Sequence, residues 1–237
     1  MERKEKLKQK LSKKYFSDIA NKYDSARNSD FREVELQKDE FKIITDFVHK
    51  SKPGKVLDVA CGTGVYLSLY KGREVHGVDI SKDMLKYAKI KNPKANLKVA
   101  NAERLPYKDK TFAVVTSARF ICHTPEYKKI IHEMVRVISP GGSLILDFPN
   151  KYSLSAITTK IRLMLGKLAY YNLISLSEVK KIARVNNLKI VQIKSKVFLP
   201  PKLLPMFCYP LIRYLNNKIS SVTNMFCTPL YVHFIKK

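Results

Sequence analysis

The sequence predicts an α/β fold with a doubly wound, mostly parallel sheet, and three observations support this prediction. Short apolar runs alternate with helical patterns over residues 55–148 of the 237-residue chain, an order typical of parallel strands joined by right-handed crossovers. The first run, Lys55–Val59, leads into a turn with two glycines, which lets the backbone approach a ligand closely. The second run ends at Asp79. A carboxylate about 20 residues after the first strand is well placed to bind both hydroxyls of a ribose.

Periodicity and helix-breaking residues define the predicted elements of the first 150 residues. Apolar residues at three- and four-residue steps predict helices over 15–26 and 31–50, and Pro53-Gly54 ends the second. The predicted strands of this part are Lys55–Val59, Glu74–Asp79, Asn96–Ala100, Thr111–Ser117 and Ser143–Phe148. The predicted helices between them are Thr63–Tyr70, Lys82–Ile90 with Ser81 as its cap, and Glu126–Ile138, which ends at a turn over 139–142.

The pattern after Asn150 is less regular. It predicts a helical insertion over 152–168, a helix from a Ser177 cap to about Asn187, and a long strand over 188–199. Four prolines then interrupt an apolar stretch, and residues 228–235 are expected to form a closing edge strand. No Gly-, Ser- or Pro-rich linker divides the chain, so we expect a single domain.

The net charge is strongly positive and is uneven along the chain. The 45 Lys and Arg residues exceed the 20 Asp and Glu residues, which gives +25 at pH 7. From Lys151 to Lys237, 15 basic residues accompany the single acid Glu178. Such a field favours anionic partners, which include nucleic acid, an anionic lipid surface or a phosphorylated substrate. A Lys-rich composition that is unrelated to function explains the charge equally well.

Other features argue against several classes of protein. Residues 1–14 are charged throughout and do not resemble a signal peptide, and no stretch reaches the roughly 18 apolar residues of a membrane span. The four cysteines have no CxxC spacing, so we interpret them as reduced thiols. The histidines form no HxxxH or HExxH pair and therefore give no support to a metal site. A cytoplasmic location is expected.

The loop after the first strand favours a nucleoside-like cofactor over a dinucleotide. A dinucleotide fingerprint requires a third glycine three residues after the second, where helix and strand pack around the pyrophosphate. Leu67 occupies that position after Gly62 and Gly64. The usual seat for a diphosphate is therefore missing, and no P-loop motif replaces it.

Five segments, in order and at suitable spacing, resemble class I S-adenosylmethionine-dependent methyltransferases, specifically the small-molecule group that includes quinone-biosynthesis enzymes. The likeness covers about residues 15–148. The segments are Phe16–Asp24 (FSDIANKYD), Leu57–Gly64 (LDVACGTG), Asp79–Leu85 (DISKDML), Asn101–Tyr107 (NAERLPY) and Arg136–Gly142 (RVISPGG). The resemblance implies a Rossmann-like, seven-stranded sheet with helices on both faces and an antiparallel last strand. It implies S-adenosyl-L-methionine as cofactor and S-adenosyl-L-homocysteine as product.

The same resemblance assigns roles to individual residues. Asp79 is expected to bind the ribose, and the glycines to face the methionine part, whose carboxylate uses the start of the helix predicted after Gly64. Met84 covers the adenine or belongs to the core, and Asn101 reads the adenine edge or caps its own loop. Asp58 positions the loop or has a purely structural role. The expected cofactor-binding residues are Tyr23, Asp58, Ala60, Cys61, Gly62, Gly64, Asp79, Ile80, Met84, Asn101, Ala102, Glu103 and Ser117.

Three positions depart from the pattern of the family. Ala60 stands at the first glycine position, which is a common variant, and Ala113 replaces the usual acid after Phe112. The exit of the fourth strand, residues 117–123, is atypical and is expected to face the acceptor.

The implied chemistry is direct transfer of an activated methyl group, for which a protein mainly supplies alignment and exclusion of water. Where a proton must leave, His123 is the expected catalytic base, because it follows the fourth strand and can titrate near neutrality. A structural histidine is the alternative. Tyr15 and Tyr23 either close over the cofactor or pack in the core. Glu103 and Arg119 either face the acceptor or lie at the surface.

The resemblance also suggests how a single methyltransferase domain over 1–237 is divided. Residues 1–50 correspond to a helical cap and 55–148 to the cofactor-binding core. Residues 150–172 and 197–222 stand where this family often builds lid or substrate elements. Both segments mix apolar and basic residues, which suits a lipid-like or anionic acceptor or a peripheral membrane contact. A solvated basic face around a normal core is the alternative.

Three functions therefore stay open. The first is methylation of a small or lipid-like molecule. The second is methylation of RNA or protein, although residues 117–120 do not match the amino-methylating motif and no RNA-binding module is visible. The third is a non-catalytic cofactor-binding protein. Neither the acceptor atom nor the oligomeric state follows from the sequence.

Overall fold

A single twisted sheet organises the molecule. The computed structural model describes residues 18–27, 29–166, 170–197, 208–222 and 226–237. Its strands are β1 (Val56–Val59), β2 (Val75–Asp79), β3 (Asn96–Val99), β4 (Phe112–Ser117), β5 (Ile138–Phe148), β6 (Leu188–Lys194) and β7 (Leu230–Lys236). These seven strands lie in the order β3-β2-β1-β4-β5-β7-β6. Strands β1 to β5 are parallel, and β7 is antiparallel to both of its neighbours.

Helices cover both faces of this sheet. The α-helices of the described residues are α1 (Tyr23–Arg27), α2 (Phe31–His49), α3 (Lys82–Lys91), α4 (Tyr127–Val137), α5 (Leu154–Met164), α6 (Leu176–Val185) and α7 (Tyr209–Val222). Apolar residues of α2 and α3 pack with β1 on one face, and those of α4 and α6 pack with β4 and β5 on the other. The predicted doubly wound, mostly parallel α/β fold with an antiparallel last strand is confirmed. None of the described helices has the length and apolar content needed to cross a membrane.

The prediction of an α-helix over Thr63–Tyr70 is wrong. This segment consists of turns followed by one 3₁₀ turn over Leu67–Tyr70. The Leu67 amide donates to the Gly64 carbonyl at 3.2 Å, and the Leu69 amide donates to the Tyr66 carbonyl at 2.9 Å. These bonds span three residues instead of the four of an α-helix. The Gly64 carbonyl also accepts a bond from the Asn92 side chain at 2.9 Å.

Two strands also differ from the prediction. Strand β5 begins at Ile138, because Ile138 pairs with Phe112 before a register shift, so the expected turn over 139–142 belongs to the strand. Strand β7 is not at the edge, since it pairs with β5 on one side and with β6 on the other. Its first five residues are all buried, which is typical of an interior strand. The edge strand on this side of the sheet is β6, which ends at Lys194, before the predicted Leu199.

Capping residues determine where two helices begin. Ser81 caps α3 as predicted and accepts a bond from the Met84 amide at 3.2 Å. Helix α6 is capped by Ser175, so the predicted Ser177 cap is wrong. The reason is Glu178, three residues after Ser175, whose side chain accepts a bond from the Ser175 amide at 2.7 Å. Ser175 and Glu178 thus form a capping box.

Replacing the two candidate caps of α6 separately tests this assignment. Ser175→Ala removes the acceptor for the Glu178 amide, and we expect a loss of about 1 kcal/mol in the free energy of unfolding. Ser177→Ala leaves the capping box in place, so we expect a clearly smaller loss in the free energy of unfolding than for Ser175→Ala. Chemical denaturation of both variants measures the difference. A larger loss for Ser177→Ala would contradict the assignment.

Candidate active site

The carboxyl ends of β1 and β2 meet around the side chain of Asp79. One carboxylate oxygen accepts the Gly62 amide at 2.8 Å, and the other accepts the Ser81 amide at 2.8 Å. Burial raises the pKa of Asp79, and the bonds from these backbone amides oppose that shift. Because each carboxylate oxygen has further lone pairs, Asp79 is fixed in place and still able to accept bonds from a ligand.

The loop between β1 and the 3₁₀ turn has a left-handed backbone at three positions. These are Ala60 (φ 58°), Gly62 (φ 54°) and Gly64 (φ 76°). A methyl group on Gly62 would meet no atom within 4 Å, so open space lies in front of this residue. A methyl group on Gly64 would lie 2.8 Å from the Asn92 amide nitrogen and 2.9 Å from the Ala88 Cβ. Gly62 therefore borders a space for a ligand, whereas Gly64 is required for packing against α3.

Asp58 lies at the base of this loop, fully buried at the end of β1. One carboxyl oxygen accepts the Thr116 hydroxyl at 3.0 Å, and Thr116 is 2.9 Å from the Tyr70 hydroxyl. The other oxygen is buried and has no hydrogen-bond partner among the described residues. Burial, partly offset by the Thr116 bond, raises the pKa of Asp58 to about 7. Cys61, the next buried side chain of the loop, donates its backbone amide to the Val78 carbonyl at 3.0 Å.

Helix α1 is held against the same loop. The Thr63 hydroxyl donates to one carboxylate oxygen of Asp24 at 2.8 Å, and Lys91 of α3 forms an ion pair with the other. These contacts bring Tyr23, which is half-buried at the start of α1, to the edge of the loop. Of the predicted cap signature, Phe16 and Ser17 lie outside the described residues, as does Tyr15. No local pattern in the sequence marks Thr63 as the partner of α1.

The residues expected to surround the adenine have mixed environments. Met84 is only 2% exposed and belongs to neither of the two apolar clusters that flank the sheet, while Ile80 is half-buried. Asn101 is exposed, and its side-chain oxygen accepts the Glu103 amide at 3.0 Å, so it caps its own loop. Ala102 packs in the cluster under α4. Glu103 forms an ion pair with Lys129 at 2.9 Å.

His123 follows β4, at the carboxyl end of the parallel strands. Ser117, the last residue of β4, is buried and donates its hydroxyl to the Val59 carbonyl at 2.7 Å, which ties β4 to β1. His123 ends a 3₁₀ turn over Ile121–His123 and is exposed, although surrounding atoms desolvate its ring and lower its pKa. Asn172 fixes this turn by donating to the carbonyls of Ile121 and Thr124 at 2.8 and 2.7 Å.

A buried charge network, which the sequence pattern did not reveal, stands beside this turn. Arg119 has a left-handed backbone (φ 57°), and its amide donates to Asp147 on β5 at 2.7 Å. Its guanidinium forms an ion pair with Glu40 of α2 at 2.9 Å. Burial and the nearby charge of Glu40 raise the pKa of Asp147 to about 7. Arg119 is therefore held by two buried carboxyl groups, while its side chain stays 37% exposed.

The thiol near this network is not activated. Burial raises the pKa of Cys122 and also that of Tyr171, so both stay protonated at neutral pH. A nucleophilic cysteine requires a lowered pKa. Within the part of the chain that the structure describes, no group of three His, Cys, Asp or Glu side chains is arranged to hold a metal ion.

Residues 57–146 match a protein family described as "Methyltransferase domain". Over this segment the chain is similar to known methyltransferase domains. This confirms the resemblance inferred from the five sequence segments. A demethylmenaquinone methyltransferase from Bacillus mycoides (strain KBAB4) is 35% identical over 142 residues. The alignment covers 55% of this chain, and the chain spans 58% of the length of that relative.

Solved structures share the fold of this chain. Magnesium protoporphyrin IX methyltransferase from Synechocystis PCC 6803, with bound SAH, has a TM-score of 0.64 and 16% identity, over 95% of this chain and 99% of that chain. The cyclase SpnF has a TM-score of 0.58 and 16% identity, over 81% and 79% of the two chains. Similarity at this level of identity shows the fold alone, and a named cyclase among the neighbours shows that one fold supports different reactions.

The buried carboxyl group of Asp58 predicts a specific pH dependence of stability. Because its pKa in the folded state (about 7) exceeds the ordinary value of 3.8, the folded protein keeps a proton that the unfolded chain has lost. The free energy of unfolding therefore falls as the pH rises between these values. Asp58→Asn removes this contribution. Between about pH 5 and about pH 7.5 we therefore expect the free energy of unfolding of the variant, relative to that of wild type, to rise by on the order of 2 kcal/mol.

Urea denaturation of ligand-free wild type and Asp58→Asn at both pH values measures this change. Other titrating groups, including Asp147, are common to both proteins and cancel in the difference. A stability difference that is the same at both pH values would contradict the proposed pKa.

Proposed function

We propose that this chain transfers the methyl group of S-adenosylmethionine to a small or lipid-like acceptor. The observation that carries this proposal is the Asp79 carboxylate, held by the amides of Gly62 and Ser81 beside the open space at Gly62. A carboxylate fixed in this way can accept bonds from both hydroxyls of a ribose. Charge-assisted bonds of this kind contribute roughly 1.5–3 kcal/mol each.

Two further features fit a nucleoside with an amino-acid tail. The unpaired buried oxygen of Asp58 lies at the base of the loop, where an ammonium group of the methionine part would satisfy it. Leu67, at the position of the missing third glycine, is buried in the apolar cluster under α2 and leaves no seat for a diphosphate. The other proposed cofactor contacts are Tyr23, Ala60, Cys61, Gly64, Ile80, Met84, Asn101, Ala102, Glu103 and Ser117.

One earlier expectation for the cofactor is withdrawn. The methionine carboxylate was expected to use the start of a helix after Gly64, but this segment has only a single 3₁₀ turn. A turn of this length supplies no aligned row of backbone dipoles. The groups of this loop that are proposed to face the cofactor are therefore its individual backbone amides, next to the open space at Gly62.

When bound, S-adenosylmethionine supplies a methyl group on a positively charged sulfur, and this methyl group is transferred directly to the acceptor atom. The residues of this chain hold and align the reactants. Helix α1, fixed to the loop through Asp24 and Thr63, is proposed to exclude water from the transfer. His123 is proposed as the base where the acceptor must lose a proton, since desolvation lowers its pKa and keeps the ring neutral. Arg119 is proposed to face the acceptor with the exposed part of its side chain.

Several finer expectations are retained as part of this proposal. The acceptor is proposed to be lipid-like because a relative named demethylmenaquinone methyltransferase shares 35% identity over 142 residues. Residues 1–50 are kept as a cap, 55–148 as the cofactor core, and 150–172 and 197–222 as substrate elements, of which 167–169 and 198–207 lie outside the described residues. The four cysteines are free thiols, which supports a cytoplasmic location.

Removing the proposed ribose ligand tests cofactor binding. We expect Asp79→Asn to lower the affinity for S-adenosylmethionine at least about tenfold, because an amide nitrogen cannot accept a ribose hydroxyl. Asp83→Ala is the matched control, since this acid lies four residues away on the exposed start of α3 and pairs with Lys86. Isothermal titration calorimetry with S-adenosylmethionine and with NAD measures both effects. Unchanged affinity in Asp79→Asn, or tighter binding of NAD by wild type, would overturn the proposal.

A labelling experiment distinguishes the possible acceptor classes. The protein is incubated with methyl-labelled S-adenosylmethionine and fractionated cell extract. Label in the lipid or small-molecule fraction supports the proposal, and label in RNA or protein supports the alternative that the net charge of +25 keeps open. Binding of the cofactor with no transfer to any fraction would instead indicate a non-catalytic cofactor-binding protein.

A further inference from the structure

Helix α5 turns its large apolar side chains away from the protein. Leu154, Ile157, Ile161, Met164 and Leu165 are between 38% and 86% exposed, and these five residues form what we term the α5 stripe. Their separations of three and four residues place them on one side of a helix. The opposite side carries Ala156, which is buried, and Thr159 and Leu163, which are half-buried. The helix therefore contacts the protein through Ala156, Thr159 and Leu163 and exposes most of its large apolar side chains, which reverses the usual arrangement of a surface helix.

Basic residues border the α5 stripe on both sides. At 100° per residue, Lys160 and Arg162 project roughly 100° to either side of the centre of the stripe, and both are exposed. No acidic residue occurs between Lys151 and Ser177. Tyr152, 58% exposed, stands just before the helix, and aromatic side chains of this kind favour the boundary between lipid and water. An apolar stripe between cations complements an anionic lipid surface.

The start of α5 is fixed to the sheet near the acceptor end. Asn150, buried after β5, donates its side-chain amide to the Cys227 carbonyl at 2.9 Å. The Ser153 hydroxyl donates to the Asn150 carbonyl at 2.8 Å. The helix thus begins at Leu154, seven residues after Asp147, at the end of the sheet where Arg119 and His123 lie. A surface bound through this helix would lie near the exit of β4, where Arg119 and His123 are proposed to face the acceptor.

We infer that the α5 stripe is a docking surface for an anionic lipid membrane. The apolar side chains enter the interface between headgroups and acyl chains, and Lys160 and Arg162 remain with the anionic headgroups. This inference concerns binding alone and does not depend on the proposed methyl transfer. The two can therefore fail separately.

Vesicle sedimentation tests this inference with the full chain. We expect wild type to bind vesicles of phosphatidylcholine with phosphatidylglycerol, and to bind pure phosphatidylcholine vesicles at least about tenfold more weakly. Ile157→Ser/Ile161→Ser is expected to lower binding to the anionic vesicles at least about tenfold, because it removes two inserting side chains. Ile90→Ser/Val185→Ser is the matched control, since these residues are 77% and 72% exposed on other helices. This control is expected to bind like wild type.

Four results would overturn the inference. The first is failure of wild type to bind anionic vesicles at low salt, and the second is equal binding by the stripe variant. The third is equal loss of binding in the control variant. The fourth is a homodimer in light scattering that the stripe variant dissociates, because the stripe would then be covered by a second copy. Thermal unfolding at the wild-type temperature shows that each variant remains folded. If the serine variant unfolds, a second variant, Lys160→Glu/Arg162→Glu, replaces it and is also expected to lose binding.

Discussion

One hydrogen bond, from the Gly62 amide to the carboxylate of Asp79, joins the two strand ends on which the candidate active site depends. It forms only because the loop backbone is left-handed at Ala60, Gly62 and Gly64. For alanine this conformation costs roughly 1–2 kcal/mol. Packing of Gly64 against α3 and the bond from the Asn92 side chain offset that cost. The turn that fixes Asp79 is thus stabilised by these neighbours as well as by its own bond from the Gly64 amide to the Cys61 carbonyl at 2.9 Å.

Two buried carboxyl groups lie on the strands to either side of β4. Asp58 on β1 and Asp147 on β5 are fully buried, and burial raises the pKa of each to about 7. Each destabilises the fold when ionised, so stability alone does not account for them. Asp147 holds the left-handed backbone of Arg119, while Asp58 leaves one oxygen without a partner beside the proposed cofactor site. Strain and unsatisfied groups of this kind are typical of functional sites.

Features with a local signal were predictable from the sequence, and features made by distant residues were not. The Ser81 cap and Asp79 at a strand end follow from short patterns, and both were predicted correctly. The pairing of Glu40 with Arg119 joins residues 79 positions apart, and neither has a neighbour that marks the pairing. The cap of α6 was misassigned because two serines, Ser175 and Ser177, stand near its start and only Glu178 distinguishes them. The position of β7 inside the sheet likewise depends on tertiary pairing.

The most direct test of the account is a crystal structure of the protein with S-adenosyl-L-homocysteine. We predict that both ribose hydroxyls lie within hydrogen-bond distance of the Asp79 carboxylate, which keeps its bonds to the amides of Gly62 and Ser81. The methionine part is predicted to lie against Gly62, with its ammonium group at the unpaired oxygen of Asp58. A ligand bound elsewhere, or an Asp79 side chain turned away from the ribose, would contradict the central claim.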